Sequence, residues 1–232
     1  MRFDIITIFP QIFDSYVNES ILNRAQRDGK IIIATHNLRD FTTDKHKTVD
    51  DSPFGGGAGM VLKAEPILKT MESIKNEELG IKGRTKTIIF SAKGKLFNQK
   101  MAYDWAKKYD QLIMITGRYE GIDERVKKIL KAEEVSIGPY VLTDGDVAAM
   151  AVISSVARLA PGVIKLESLS EESHWNLLLK TEVKEVDKKG LEYPHYTRPE
   201  VLEYKGKKYK VPKVLLSGDH KKITEWRQKH IT

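Results

Sequence analysis

Three consecutive functional side chains follow a predicted strand near the middle of the chain. Residues 111–117 have the composition of a buried strand; Arg118, Tyr119 and Glu120 occupy the turn after it, and Asp123 is placed to cap the next helix. Ligands of parallel α/β sheets bind beyond the carboxyl ends of the strands. The pattern therefore favours a ligand site at this turn over the alternative, a surface ion pair between Arg118 and Glu120.

A glycine-rich loop, HKTVDDSPFGGGAGM, occupies residues 46–60. Its backbone N–H groups are suited to holding a phosphate, and Asp50 and Asp51 are suited to binding a metal or a base edge. A tight surface turn stabilised by the two aspartates is the alternative. No Gly-Lys-Ser/Thr follows the loop and no strand precedes it, which argues against a P-loop hydrolase and against a dinucleotide-binding fingerprint.

Charged and aromatic residues in the C-terminal third carry weaker signals. Arg158 ends an apolar helix, where it either offsets the helix dipole or holds a base or phosphate. Lys221, Lys222 and Arg227 surround Trp226 and are suited to gripping phosphates while the indole stacks on a base, although Trp226 is equally suited to a core position. The six histidines show no metal-ligand spacing, so no metal site is predicted from them.

The charge of the chain is concentrated at its end. The net charge is +7, and residues 205–232, with nine lysines and arginines against two acidic residues, carry all of it. A neutral body with a basic tail favours a polyanion as partner. There is no cysteine, and no apolar run reaches the roughly 18 residues that span a bilayer. The N-terminus reads as a first strand, so a cytoplasmic protein without a membrane partner is predicted.

Strands and helices alternate through the first 159 residues. Strands are predicted over residues 3–9, 30–36, 86–92, 111–117 and 135–138, and helices over residues 10–29, 61–76, 98–109, 122–134 and 146–159. Continuous apolar strands between helices predict an α/β fold with a parallel sheet covered on both faces. A charged segment near residues 165–190 then predicts a linker, and a last helix is predicted over residues 219–230.

Five motifs in this order, HKTVDDSPFGGGAGM, GRYEGIDERV, SIGPYVLTDGD, YPHYTRPEVLE and VLLSGDHKKITEWR, closely resemble the bacterial tRNA (guanine-N1)-methyltransferases. The resemblance covers residues 1 to about 227. It implies the SPOUT fold, an α/β domain tied in a trefoil knot, and a small, mostly helical C-terminal domain. The implied organisation is a knotted catalytic domain over residues 1–164, a flexible linker over 165–190 and a basic tRNA-binding domain over 191–232.

The resemblance further implies that three turns bind S-adenosylmethionine, largely through backbone groups that glycine leaves accessible. The implied cofactor-binding residues are Ser91, Gly94, Gly117, Tyr119, Glu120, Gly121, Ser136, Ile137, Gly138, Tyr140, Val141, Leu142 and Gly145. The glycine loop is expected over the cofactor pocket, near the point of guanine entry. The implied tRNA-binding residues are Asp50, Asp51, Gly59, His195, Arg198, Lys221 and Arg227.

Arg158 and a carboxylate from the segment SEESHW (residues 170–175) are the implied catalytic groups. Family members have Asp-Ser-Phe in this segment, and matching by the serine places Glu172 at the position of the aspartate that removes the N1 proton. Glu171 is the second choice. Counting from Arg158 without a gap places Ser173 there, and a serine could not act as the base.

Two stretches depart from the family pattern. Asp144-Gly145-Asp146 stands where the family has Gly-Gly-Glu, and Ala148 replaces a nearby proline. These changes and the altered SEESHW segment leave open an alternative, a knotted tRNA-binding protein with impaired catalysis.

The resemblance also implies a homodimer with its active site at the interface, a tRNA anticodon stem-loop as partner in place of DNA, and a dependence on magnesium in which Glu120 or Glu192 takes part.

Overall fold

A five-stranded parallel sheet lies at the centre of the first part of the chain. The computed structural model describes residues 1–76, 83–164 and 193–230. The strands of this sheet are β1 (Arg2–Thr7), β2 (Ile32–Asn37), β5 (Thr85–Leu96), β6 (Gln111–Ile115) and β7 (Glu133–Ser136), in the spatial order β2-β1-β6-β5-β7. Two short strands, β3 (Asp50–Asp51) and β4 (Val61–Leu62), pair antiparallel outside it.

Helices cover both faces of the sheet. The helices of this part are α1 (Asp14–Val17), α2 (Ser20–Arg27), α3 (Ala64–Asn76), α4 (Gln99–Lys108), α5 (Glu124–Leu130) and α6 (Asp146–Ala157), and 3₁₀ turns span Pro10–Phe13 and Leu38–Phe41. One apolar layer joins the sheet to α1, α2, α4 and α6, and the second joins it to α3 and α5. The predicted α/β fold with a parallel sheet is confirmed.

Local structure departs from the sequence-based expectation in four places, the first of which is the start of the helix expected over residues 61–76, where Val61–Leu62 form β4 instead. The helix expected over residues 10–29 is interrupted after Val17, because Ser20 has a φ of 51°, which is not helical. The carbonyl of Val17 accepts a hydrogen bond from the side chain of Gln26. β5 extends to Leu96, beyond its predicted end at residue 92. β7 begins at Glu133, inside the predicted helix over 122–134, because α5 ends at Leu130 and Lys131 adopts a left-handed conformation.

The chain divides into two compact units, Met1–Lys165 and Leu166–Thr232. In the second unit the structure describes an antiparallel hairpin of β8 (Val201–Tyr204) and β9 (Lys207–Lys210), a 3₁₀ turn over Lys213–Leu216 and helix α7 (His220–Lys229). The predicted C-terminal helix is confirmed, whereas the hairpin was not predicted. The predicted linker over residues 165–190 lies outside the described residues. No helix among the described residues has the length and apolarity needed to cross a membrane.

A buried charged cluster lies at the start of the central strands. Asp4 is fully buried on β1, and its carboxylate accepts hydrogen bonds from Arg2 at 2.8 Å and Gln111 at 2.8 Å, while His36 Nε2 lies 2.8 Å from it. Burial would raise the pKa of Asp4, but the hydrogen bonds from His36, Arg2 and Gln111 outweigh burial and lower it. The ionised carboxylate therefore stabilises the folded chain.

We expect Asp4→Asn to lower the free energy of unfolding by about 3–5 kcal/mol at neutral pH, because the substitution breaks the buried ion pair of Asp4 with Arg2. The lowered pKa means that this stabilisation is complete above the pKa of about 3.9 of an unfolded aspartate and is lost as the pH falls through the folded value. Urea titrations at several pH values measure both effects. Asp104→Asn, which removes an exposed pair with Lys100, is the matched control and should change stability by less than about 1 kcal/mol. Equal effects of the two substitutions on the free energy of unfolding would contradict the stabilising role of the buried Asp4 carboxylate.

Candidate active site

Three turns, one within β5 after Phe90 and two at the carboxyl ends of β6 and β7, line one cavity of about 490 Å³. Twelve of the thirteen predicted cofactor-binding residues line it. They are Ser91, Gly117, Tyr119, Glu120, Gly121, Ser136, Ile137, Gly138, Tyr140, Val141, Leu142 and Gly145. The structure thus brings together residues that lie up to 54 positions apart in the chain, from Ser91 to Gly145.

The first turn is an interruption within β5. Phe90 and Lys95 both pair with Val135 of β7, so the four residues between them loop out of the sheet. Ser91 lines the cavity from this loop, but Gly94 does not. A Cβ atom on Gly94 would lie 2.5 Å from the backbone nitrogen of Val135. Gly94 therefore lets β5 return to β7 and does not itself line the cavity, and its assignment to cofactor binding stays a prediction.

The second turn, residues 117–121, is held by the glycine-rich loop. The backbone N–H of Glu120 donates to Met60 at 3.0 Å, and the N–H of Leu62 donates to Gly121 at 3.0 Å. Gly59 has a φ of +81°, and a Cβ atom there would lie 2.5 Å from Cγ of Glu120. The glycine loop therefore adjoins the cavity through Glu120, and Gly59 is required both for the turn and for this close approach.

The third turn leads from β7 back towards the centre of the sheet. Ser136 Oγ donates to the carbonyl of Gly138 at 2.9 Å, and the Tyr140 hydroxyl donates to the carbonyl of Ile137 at 3.1 Å. The backbone groups of Val141 and Leu142 take part in no hydrogen bond found among the described residues. These N–H and C=O groups lie at the wall of the cavity. They are therefore available to form hydrogen bonds with the edge of a planar ligand.

The second and third turns meet where α6 begins. The N–H of Gly145 donates to the carbonyl of Gly117 at 2.8 Å. Arg118 lies 3.1 Å from the buried carboxylate of Asp146 and 3.3 Å from that of Asp144. Thr7, at the end of β1, donates to Asp146 at 2.8 Å. The substituted Asp-Gly-Asp stretch therefore supplies two carboxylates that bind one arginine and join the turns to β1.

A second ion-pair group, which sequence reasoning missed, lies at the edge of the cavity. Lys127 donates a hydrogen bond to Glu134, and Lys93 lies 3.4 Å from the same carboxylate. All three side chains line the cavity. The hydrogen bond from Lys127 lowers the pKa of Glu134, and the same bond raises the pKa of Lys127. The pair of Lys127 and Glu134 could not be predicted from their i, i+7 separation. The two residues belong to different elements, α5 and β7, and meet only because the chain reverses between them.

The predicted catalytic and loop residues are not all at this cavity. Arg158 is the C-cap residue of α6 and does not line it. Glu172, with its alternatives Glu171 and Ser173, lies outside the described residues. Asp50 and Asp51 form β3, where Asp50 is half-buried and Asp51 is exposed; neither lines the cavity.

A separate cavity lies within the second unit. His195, Arg198 and Arg227 line it together with Tyr193, Tyr196 and Trp226, whereas Lys221 does not. The guanidinium of Arg227 lies 4.9 Å from the ring centre of Tyr193, and the rings of Tyr196 and Trp226 meet edge to face at 6.3 Å. Arginines beside aromatic rings are the surface that unstacked bases bind.

The fold and the first cavity are typical of a class, the α/β proteins whose ligands bind at the carboxyl ends of parallel strands. The family described as tRNA (Guanine-1)-methyltransferase TrmD matches residues 1–232. The chain therefore belongs to the tRNA (guanine-1)-methyltransferase family, whose fold is SPOUT, and the resemblance seen in the motifs is confirmed.

Individual relatives are similar over nearly the whole chain. A protein of Thermomicrobium roseum named tRNA (guanine-N(1)-)-methyltransferase is 52% identical over 228 residues, which is 98% of this chain and 78% of the relative. Proteins of the same name from Chloroflexus aggregans and Clostridioides difficile are 49% and 48% identical, each over 98% of this chain and over 82% and 91% of their own lengths.

We expect Gly145→Ala to lower the free energy of unfolding by about 1–3 kcal/mol, as overpacking does. The new Cβ atom would lie 2.9 Å from the backbone nitrogen of Gly117 and 3.1 Å from Cα of Thr116. Gly117→Ala is the matched control, because its Cβ atom would approach no atom closer than 3.6 Å. Urea unfolding of the two variants measures the difference. Wild-type stability of Gly145→Ala would show that the two turns do not need this close contact.

Proposed function

We propose that the protein transfers a methyl group from S-adenosylmethionine to N1 of the guanosine directly 3′ of the anticodon in tRNA. Membership of the tRNA (guanine-1)-methyltransferase family supports the reaction. The observation that carries the proposal is the meeting of three separate turns around one cavity, with Glu120, Val141 and Leu142 on its wall. The class of substrate and the absence of cysteine accord with a cytoplasmic enzyme.

The cavity suits S-adenosylmethionine in size and in the groups that it presents. Its volume of about 490 Å³ lies within the roughly 300–1,000 Å³ of small-molecule sites. Backbone groups of Val141 and Leu142 would hold the adenine edge, while Ser91 and Glu120 supply polar side-chain groups for the rest of the molecule. When bound, S-adenosylmethionine supplies a methyl group that its sulfonium already activates.

The protein must then make guanine N1 a nucleophile. N1 carries a proton, so a base must remove that proton while negative charge on O6 is stabilised. We assign proton removal to Glu172 and stabilisation of O6 to Arg158, both from the family resemblance. General base catalysis contributes typically ~10²–10⁴-fold, and holding N1 in line with the methyl group contributes further. The target base must leave its stack to be reached.

A second copy of the chain would complete this site. α6 is apolar except for Asp146 at its start and Ser154 and Ser155 near its end, yet Val147 is 45% exposed and Met150 and Ala151 are only partly covered. A helix with so few polar residues is typical of an interior. Arg158 ends the same helix without lining the cavity of its own chain. A symmetric dimer through α6 would cover the apolar strip and bring Arg158 towards the partner's cavity.

The second unit would bind the anticodon stem-loop. His195, Arg198 and Arg227 would contact it from their aromatic-lined cavity, with Lys221 as an additional phosphate contact. Asp50, Asp51 and Gly59 would position the bases beside the target from the neighbourhood of Glu120.

For magnesium, the described residues hold no group of three acidic or histidine side chains and Glu192 lies outside them, so no residue is assigned to the ion and no step is derived through it.

Methyl incorporation into tRNA transcripts tests the proposed reaction. We expect labelling of a transcript with guanosine after the anticodon, and none of a transcript with adenosine there, because adenine carries an amino group in place of O6 and so offers Arg158 no developing negative charge to stabilise. Equal labelling of the two would refute the specificity. tRNA binding without turnover would favour the alternative of a catalytically impaired tRNA-binding protein.

Glu172→Gln tests the assignment of the base. We expect its single-turnover rate to fall by about 10²–10⁴-fold, because the amide cannot take the N1 proton, while S-adenosylmethionine binding measured by calorimetry stays unchanged. Glu171→Gln is the neighbouring control and should keep nearly the full rate. The reverse pattern would move the role to Glu171, and wild-type rates in both variants would remove it from this segment.

Val147→Glu tests the proposed dimer. We expect wild-type protein to sediment as a dimer and the variant as a folded, inactive monomer, because burying the new carboxylates against the apolar strip is unfavourable. Ile32→Glu, a similar change at an exposed position of the edge strand β2, should leave the dimer intact. A monomeric, active wild-type protein would contradict the shared site.

A further inference from the structure

The β8–β9 hairpin carries a concentration of positive charge that neither the sheet nor the cavities explain. All ten residues from Val201 to Lys210 are exposed. Four of them are lysines, and Glu203 is the one acidic residue among the ten. The hairpin reverses in two residues, Lys205 and Gly206, whose φ values of 50° and 72° are those of a type I′ turn.

The pairing of the strands distributes the lysines around the whole hairpin. Residues directly opposite in an antiparallel pair share a face, and Leu202 pairs with Tyr209 while Tyr204 pairs with Lys207. Lys208 and Lys210 belong to the opposite face, and Lys205 lies at the tip. Positive charge is therefore presented to both sides and the end of the hairpin.

This arrangement contributes little to the stability of the hairpin itself. The pair of Lys208 with Glu203 is 2.9 Å long, but both side chains are 65% exposed, so it is worth at most about 1 kcal/mol. Lys205 lies 5.3 Å from the ring centre of Tyr204. An isolated two-stranded hairpin is marginal in water, and three uncompensated charges weaken it further, so a stability role does not account for the lysines.

We propose that the β8–β9 hairpin is a docking element for the sugar-phosphate backbone of tRNA, an inference that rests on the proposed function. Lysine amines on two faces and at the tip match phosphates that flank the hairpin on both sides. The exposed rings of Tyr204 and Tyr209 add flat surfaces next to the amines, as nucleic-acid-binding surfaces have. A folded RNA supplies phosphates on two sides at once, which an acidic loop of a protein does not.

Replacement of Lys205, Lys207, Lys208 and Lys210 together by glutamine tests the proposal. Removing one lysine–phosphate interaction should reduce the slope of log affinity against log salt by about 0.7–0.9. We expect the slope for tRNA binding, measured by fluorescence anisotropy, to fall by about 3–3.5, four times the value for one lysine, and the affinity at ~0.1 M salt to fall at least tenfold. Binding of S-adenosylmethionine should not change.

Two further variants separate local interactions from overall charge. Lys75, Lys100, Lys107 and Lys108, on α3 and α4 and exposed, give the same loss of four charges when changed to glutamine and should keep the wild-type slope. Glu203→Gln should act in the opposite direction and tighten tRNA binding. Equal slopes for the hairpin variant and wild type would overturn the proposal, as would equal losses in the hairpin and control variants.

The binding readout keeps the two proposals apart. A wild-type protein that binds tRNA but does not methylate it would refute the proposed function, while a reduced slope in the hairpin variant would still support the docking element. Methylation by wild type with an unchanged slope in the hairpin variant would refute the docking element alone.

Discussion

The contact between Gly117 and Gly145 is the constraint on which the site depends. The chain leaves the edge strand β7, returns to the end of β6 and forms a 2.8 Å backbone hydrogen bond there before α6 starts. A Cβ atom on Gly145 would lie 2.9 Å from the backbone nitrogen of Gly117, so the approach needs glycine at position 145. Arg118 then fixes the junction by binding Asp144 and Asp146. Without this approach the third turn would remain at the sheet edge, and the three turns would not share a cavity.

The periodic parts of the fold were predictable from sequence because their signals are local. Apolar strands between helices predicted the parallel sheet, and the glycine-bearing turns that were singled out in the sequence line its first cavity. Twelve of the thirteen implied cofactor residues line one cavity. Their identification came from the resemblance of ordered motifs, since no spacing rule places Ser91 beside Gly145.

The features that were missed depend on pairings between distant residues. The close approach of Gly94 to Val135, where β5 returns to β7, is one of them, because only the strand register reveals it. Asp146 reads in sequence as a departure from pattern, whereas in the fold it is a fully buried partner of Arg118 and Thr7. The β8–β9 hairpin was not predicted, because its lysines give the segment the composition of a solvent-exposed tail and not that of two strands.

The proposed recognition of the ligand through the backbone would have a consequence for resistance to inhibitors. The wall formed by Val141 and Leu142 presents amide groups that are the same whatever side chain the residue carries, and the Val141 side chain itself is 90% exposed. A competitive compound that satisfies these amides would keep its hydrogen bonds after most point mutations of the wall. Escape would require a change of backbone path, and the crowded junction at Gly145 leaves little room for one.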